Sequence, residues 1–164
     1  MKQYVTDAGA AAIASATASG QALEFVGMAI GDGVFSASTG DPTAMTRLID
    51  EVARIDISEV RREGNTITVV TDVTNDDLAT GTKIRELGII ARVGGSAVLL
   101  AYGYTDDPET VPDPADSDYE RRFVSTIGLA DDESGLKVTR GSSGVRFDVV
   151  DGRLKMTVTI TEED

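Results

Sequence analysis

The stretch KIRELGII, residues 83–90, decides the fold because charged residues interrupt an otherwise apolar segment. In a β-strand, successive side chains point to opposite faces of the sheet. One face then carries Ile84, Glu86, Gly88 and Ile90, and the other carries Lys83, Arg85, Leu87 and Ile89. Such a mixture is unusual for a strand that covers only one core. The Glu86 carboxylate is therefore expected to have a partner.

The composition indicates a folded domain whose charge disfavours several classes of partner. The chain has 164 residues, of which 41% are hydrophobic and 26% charged, as in one globular domain. It has neither an apolar run that could span a membrane nor the apolar block of a signal peptide, so we expect synthesis in a cytoplasm. Its 28 acidic and 15 basic residues leave a net charge of −13, which disfavours nucleic acid and anionic membranes as partners.

The sequence contains no cysteine and no histidine. This composition removes disulfides, thiolate nucleophiles, the usual near-neutral acid/base group and the common nitrogen ligand of zinc. Only carboxylate, lysine, serine or tyrosine chemistry remains available. We expect no cofactor.

Residues 6–19 predict a short helix, with Thr6 or Asp7 as its N-terminal cap and Gly20 at its end. Ile13 is its only large apolar residue, so the helix must dock on another element. The small residues expected around Ile13 are Ala10, Ala14 and Thr17.

A buried strand is predicted over residues 22–30, followed by a turn at Gly31, Asp32 and Gly33 that requires positive φ. Asp41 and Pro42 then resemble the start of a second helix. Its apolar residues recur at helical spacing, at Met45, Leu48, Ile49 and Val52.

Three antiparallel hairpins are predicted from alternating apolar segments. The first joins residues 53–60 to 65–73, with Ile67, Val69, Thr71 and Val73 on one face. The second joins residues 83–90 to 96–105, and a further strand is predicted within 119–130. The third surrounds Asp151 and Gly152, a dipeptide preferred in two-residue turns.

Two segments lack these patterns. Residues 106–118 carry three of the four prolines and six acids, which predicts an exposed, mobile loop. Residues 139–144 resemble a linker. We therefore expect an α+β fold that is mainly β, with a short N-terminal helix packed on antiparallel hairpins in a domain of residues 1–138. Residues 139–164 would form a C-terminal β-hairpin arm.

Three chemical sites are compatible with parts of the sequence, although each has a simpler structural interpretation. Acidic residues could bind calcium at Asp32 with Asp41, at Asp76 with Asp77, or at Asp131, Asp132 and Glu133, but none has the spacing of a calcium loop. Glu86 with Glu51 or Asp56 could form a glycosidase pair. Tyr102, Tyr104 and Tyr119 could form a platform for a carbohydrate.

Several motifs, taken in order, resemble the N-terminal domain of phage tail-collar fibre proteins. That family combines a T-x-x-G helix, a strand that ends in G-D-G, an E-V-x-R stretch and an I-R-E-x-G segment. Here these motifs fall at residues 6–14, 30–33, 51–54 and 84–90. Each motif alone is weakly specific. The resemblance covers about the first 130 residues.

The resemblance implies a non-enzymatic connector or fibre-base subunit of a phage tail, a baseplate or a related contractile injection machine. Such a subunit would form a homotrimer, contact other tail, baseplate or fibre proteins, and reside in the virion tail after assembly in the bacterial cytoplasm. The alternative function is that of a carbohydrate-binding β-domain.

The resemblance also suggests residues for these roles. The two charged motifs contain Arg54 and Glu86, so we expect Glu86 to form a structural ion pair with Arg54 or Arg85, within the chain or between chains. The C-terminal hairpin is marginal alone and needs a partner surface. Its expected assembly contacts are Val145, Phe147, Val149, Leu154, Met156, Val158 and Ile160.

Overall fold

A computed structural model describes residues 1–130, 135–141, 145–150 and 153–158, the last two ranges through their backbone. The fold is mainly β with one short N-terminal helix, which confirms the predicted fold class. The helix α1 spans Asp7–Ser19. The strands are β1 Lys2–Val5, β2 Ala22–Gly31, β3 Glu51–Ile55, β4 Glu59–Glu63, β5 Thr66–Thr74, β6 Lys83–Val93, β7 Ser96–Thr110, β8 Glu120–Gly128, β9 Lys137–Arg140, β10 Val145–Val150 and β11 Arg153–Val158.

The main sheet has the order β1-β7-β6-β2-β3, and β9 pairs with the first half of β2. Strand β6 lies in its middle and pairs with β7 on one side and β2 on the other. Because β6 is central, apolar clusters cover both of its faces: Leu87 and Ile89 pack in one cluster, and Ile90 packs in the other. This explains why neither face of residues 83–90 is purely polar.

Strands β4, β5 and β8 form a second, three-stranded sheet. The hairpin predicted from residues 53–60 and 65–73 is confirmed only in part. Strand β4 pairs with β5 through a turn at Gly64, whose φ is 57°, but residues 53–55 belong to β3 of the main sheet. The four residues predicted to share one face of β5 are all buried, at Ile67, Val69, Thr71 and Val73. The three apolar residues of this face pack in the same cluster as Phe25, Met28 and Ile89 of the main sheet. The larger core therefore unites the two sheets.

Helix α1 begins at the predicted cap. The Thr6 hydroxyl accepts a hydrogen bond from the Gly9 amide at 2.8 Å and donates one to the Leu99 carbonyl at 2.5 Å. A Cβ on Gly9 would overlap the Leu100 backbone, so this glycine permits close packing of the helix on β7. The expected flanking residues were wrong in part, since Ala10 and Ala14 are exposed. The buried face instead contains Gly9, Ile13 and Ala16.

The second predicted helix is wrong. Asp41 caps a single 3₁₀ turn, Pro42–Ala44, by accepting a hydrogen bond from the Thr43 amide at 2.9 Å. The chain then continues without helix or strand to β3, and only Leu48 among the four apolar residues is buried. The segment forms no helix because the amides of Ile49 and Asp50 donate hydrogen bonds to the buried Glu86 carboxylate instead.

The structure also differs from the prediction at the N-terminus and in the acidic segment. Strand β1 was not predicted, and it pairs with β7. The acidic segment 106–118 is an exposed loop only in its second half, since β7 extends to Thr110 and pairs there with Lys83. Val111 is 1% exposed and packs in the larger core. One buried valine thus anchors a segment whose composition is otherwise that of a loop.

The C-terminal hairpin is present as a separate two-stranded sheet. Its register aligns Val145 with Val158, Phe147 with Met156, and Val149 with Leu154. The turn residues 151–152 and Ile160 lie outside the described residues. The expected linker 139–144 begins inside β9, which pairs with β2. The division of the chain after residue 138 stays a prediction.

Candidate functional site

The Glu86 side chain lies on β6, the middle strand of the main sheet, and is 0% exposed. Its Oε1 atom accepts hydrogen bonds from the Ile49 amide at 3.0 Å and the Tyr102 hydroxyl at 2.6 Å. Its Oε2 atom accepts from the amides of Gly33 at 3.0 Å and Asp50 at 3.2 Å. Four donors therefore hold a buried carboxylate and connect β6 to β7 and to the two chain segments around Gly33 and Asp50.

This arrangement corrects the expected ion pair. Arg54 binds Glu51 through two hydrogen bonds of 2.9 and 3.0 Å, and Arg85 pairs with Asp32. Glu86 is also inaccessible to an arginine from a neighbouring chain, because it has no exposed surface. Backbone amides satisfy the carboxylate without the cost of burying a guanidinium group.

The two glycines of the G-D-G motif make room for this carboxylate. A Cβ on Gly31 would lie 2.6 Å from the Glu86 Oε2 atom, and a Cβ on Gly33 would overlap the same oxygen. Neither glycine has positive φ, so the predicted turn with positive φ is wrong. The motif requires glycine because the Glu86 side chain approaches the backbone closely. The G-D-G and I-R-E-x-G motifs are thus two halves of one site.

Tyr102 belongs to an aromatic cluster rather than to a binding surface. Its ring lies 5.6 Å from the ring of Phe35, measured between centroids, and Phe35 lies 4.5 Å from Tyr104. Burial raises the pKa of the Tyr102 hydroxyl, and the hydrogen bond to Glu86 raises it further. This hydroxyl therefore remains a donor to the carboxylate at neutral pH.

The predicted carbohydrate platform is not assembled. Tyr102 and Tyr104 are 0% and 6% exposed, and Tyr119 is 8% exposed and packs in the other apolar cluster. Side chains buried in this way cannot stack on a sugar. The three tyrosines therefore contribute to the core rather than to a ligand-binding surface.

The predicted acidic sites have structural roles where the structure describes them. Asp32 pairs with Arg85, Asp41 caps a turn, and Asp77 accepts a hydrogen bond from the Thr74 amide at 2.7 Å. Over the described residues, no group of three acidic side chains is arranged to hold a metal ion. The candidates Asp131, Asp132 and Glu133 lie outside those residues.

The arrangement around Glu86 provides structural rigidity rather than access for a substrate. The proposed glycosidase pair would require Glu86 to reach a sugar, but its oxygens are buried and bonded to four protein donors. Glu51, one of its suggested partners, is bound to Arg54. In the part of the chain that the structure describes, no helix has the length and apolar character needed to cross a membrane.

Sequence reasoning identified Glu86 but missed its donors. Three of them are backbone amides, at Gly33, Ile49 and Asp50, and an amide belongs to every residue type except proline. The available signal was the occurrence of G-D-G in the same chain as a lone carboxylate within an apolar strand. Of the predicted assembly positions, those within Val145–Val150 and Arg153–Val158 have a described backbone, Ile160 lies outside the described residues, and the contacts of all of them remain a prediction.

Comparison with known proteins identifies one family. The family model described as phage tail-collar fibre protein, N-terminal, matches residues 1–131. This range contains strands β1 to β8, helix α1 and all the residues around Glu86. No curated protein and no solved structure matches the chain. The chain therefore belongs to the phage tail-collar fibre protein family, whose N-terminal domain it contains.

Proposed function

We propose that this protein is a connector or fibre-base subunit of a phage tail, baseplate or related contractile injection machine, and that it acts as a homotrimer without catalysis. The family match supports a structural role in the tail. Assembly would take place in the bacterial cytoplasm before the subunit joins the virion. Its partners would be further copies of the chain and other tail or fibre proteins.

The observation that carries the proposal is the C-terminal hairpin, which pairs its two strands only with each other in the described part of the chain. A two-stranded hairpin is marginally stable in water unless it packs against another surface. In the observed register, apolar residues oppose apolar residues at Val145, Phe147 and Val149 of β10. A neighbouring copy is a suitable source of the missing surface.

The Glu86 arrangement supports a connector role in a different way. A domain that transmits load between proteins needs a rigid frame, and four hydrogen bonds to one buried carboxylate join segments that are far apart in sequence. The net charge of −13 further disfavours a nucleic acid or an anionic membrane as the partner.

Sedimentation velocity of two double variants tests the proposal. Phe147 and Met156 oppose each other in the hairpin, and so do Arg146 and Thr157. We expect Phe147→Ser with Met156→Ser to lower the fraction of trimer at micromolar concentration. The matched control, Arg146→Ser with Thr157→Ser, alters the neighbouring register pair, leaves Arg153 and Lys155 of β11 in place and should remain trimeric. Equal behaviour of the two variants would contradict the assigned assembly face.

A further inference from the structure

Strand β3 forms an open edge of the main sheet. In the described part of the chain it pairs with β2 alone. An edge strand presents backbone groups that can pair with a strand from another chain. Two large apolar side chains are exposed at this edge or just before it, since Val52 is 43% exposed and Ile49 is 52% exposed. The edge therefore offers both hydrogen-bonding groups and apolar surface.

The charge of this edge distinguishes it from the other edge strands. Residues 50–56 contain three acids and one arginine, a net charge of −2. Strand β4 is neutral, with two acids and two arginines, and β8 has one acid and two arginines. Strands β1 and β9 contain only basic charged residues. Strand β3 itself is neutral, with Glu51 and Arg54, and its negative charge comes from the flanking Asp50 and Asp56. When one flanking residue is counted at each end of every strand, β3 is the one with a net negative charge among these strands.

Strand β11 has the complementary charge. It contains Arg153 and Lys155 and no acid, for a net charge of +2. It also has Leu154, Met156 and Val158 at alternate positions, which place apolar residues on one face. With six residues, β11 is similar in length to β3, which has five. Complementary charge favours the correct partner strand and disfavours the others.

The path of the chain places donor and acceptor on the same flank of each copy. Strand β9 runs parallel to β2, and the Gly141 amide donates a hydrogen bond to the Phe25 carbonyl at 2.8 Å. From Met28 onward that flank of β2 is occupied by β3. Val145, four residues after Gly141, therefore lies within about 14 Å of it, which keeps the hairpin near the β3 flank.

We propose that β11 of one copy pairs with the open edge of β3 in a neighbouring copy. The inference rests on the proposed function, which it deepens by naming the receiving surface. Within one chain, β3 and the hairpin belong to different sheets. The donor and acceptor are different surfaces, so the contact is heterologous and can close into a ring of three copies.

Disulfide mapping tests this pairing directly, because the chain contains no native cysteine. A chain with Val52→Cys is co-expressed with a differently tagged chain that carries Leu154→Cys, Met156→Cys or Val158→Cys. Disulfides form only when the two Cα atoms come within about 7 Å. After mild oxidation, we expect at least one of the three pairs to give a covalent dimer that contains both tags and is lost on reduction.

The control replaces the acceptor by Val124→Cys on β8, a position that is more exposed, at 58%. It should give no mixed dimer with the same three hairpin variants, although random collisions would favour it. Mixed dimers with Val124→Cys rather than Val52→Cys would overturn the proposal. So would a crosslink within one chain that carries both Val52→Cys and a hairpin cysteine.

Light scattering of the same samples before oxidation distinguishes failure of the pairing with β3 from failure of the proposed trimer. Trimers that give no crosslink at Val52 would overturn the pairing with β3 and leave the proposed function intact. Monomers in every sample would overturn the proposed function, and the pairing would fall with it. Trimers that crosslink at Val52 and not at Val124 support both.

Discussion

Glu86 is held by dipoles and a hydroxyl rather than by a cation. Transferring a carboxylate from water to a buried site costs several kcal/mol unless hydrogen bonds satisfy its lone pairs. Here each oxygen has two donors, and three of the four donors are backbone amides. The sequence revealed that this residue needed partners. It could not reveal which partners, because every residue except proline has a backbone amide and the residue type therefore does not mark a donor.

Replacing Glu86 should therefore destabilise the fold strongly. We expect Glu86→Ala to lower the free energy of unfolding by about 3 kcal/mol or more, because it leaves buried amides without acceptors. Glu86→Gln should cost about 2 kcal/mol, since its amide nitrogen cannot accept from the donors that face it. Urea unfolding with a comparison of midpoints and slopes measures both changes.

Tyr102→Phe is the matched control, because it removes only the hydroxyl donor and leaves the carboxylate with its three amides. It should cost about 1 kcal/mol. A change of a few tenths of a kcal/mol for Glu86→Ala would contradict the structural role assigned to this carboxylate.

Gly33 should be sensitive to a single added methyl group. A Cβ at this position would overlap the Glu86 Oε2 atom and lie 2.9 Å from the Asp50 amide nitrogen. We expect Gly33→Ala to cost about 2 kcal/mol in urea unfolding, because these neighbours are fixed. Part of that cost should disappear when Glu86 is already alanine, which a double-mutant cycle measures.

Gly128→Ala provides the comparison, since nothing lies within 4 Å of an added Cβ there and its φ is not positive. It should leave stability unchanged or raise it slightly. Equal costs at Gly33 and Gly128 would show that the close approach of Glu86 does not select glycine.

At the scale of elements, the sequence predicted hairpins better than helices. Alternation identified β6 with β7 and β10 with β11, because a period of two is a local property of each strand. It identified β5 with only the start of β4, since the predicted first strand 53–60 is divided between β3 and β4. The helix predicted from Asp41 onward had a good cap and suitable spacing. It failed because Glu86, 36 residues beyond Asp50, captures the amides that a helix would use. A tertiary contact thus overrode local propensity.

Helix α1 depends on Thr6 more than a surface helix depends on its cap. The Thr6 hydroxyl bonds both the Gly9 amide and the Leu99 carbonyl, so it joins the helix to β7. We expect Thr6→Ala to lower the free energy of unfolding by about 2 kcal/mol and Thr6→Ser to have little effect. Thermal unfolding followed by circular dichroism measures both variants.

Asp41→Ala is the matched comparison for a cap. Asp41 also accepts a hydrogen bond from a backbone amide, but it is exposed and makes no contact with the sheet through that bond. Its replacement should change stability less than Thr6→Ala does. The reverse order would mean that the bond to Leu99 contributes nothing to the docking of the helix.

At the scale of the whole molecule, long-range strand order could not be predicted from local patterns. The return of β9 to pair with β2 and the pairing of β1 with β7 join residues about a hundred positions apart. No periodicity in the sequence encodes such partners. The order of the weak motifs was more informative, because together they indicated the family that covers residues 1–131.

The central claim is that copies of this chain complete one another. The most direct test is the molar mass of the full chain, measured by multi-angle light scattering after size-exclusion chromatography at micromolar concentration. The account predicts the mass of three chains, unchanged on moderate dilution. A mass of one chain at every concentration, with the fold intact by circular dichroism, would contradict it.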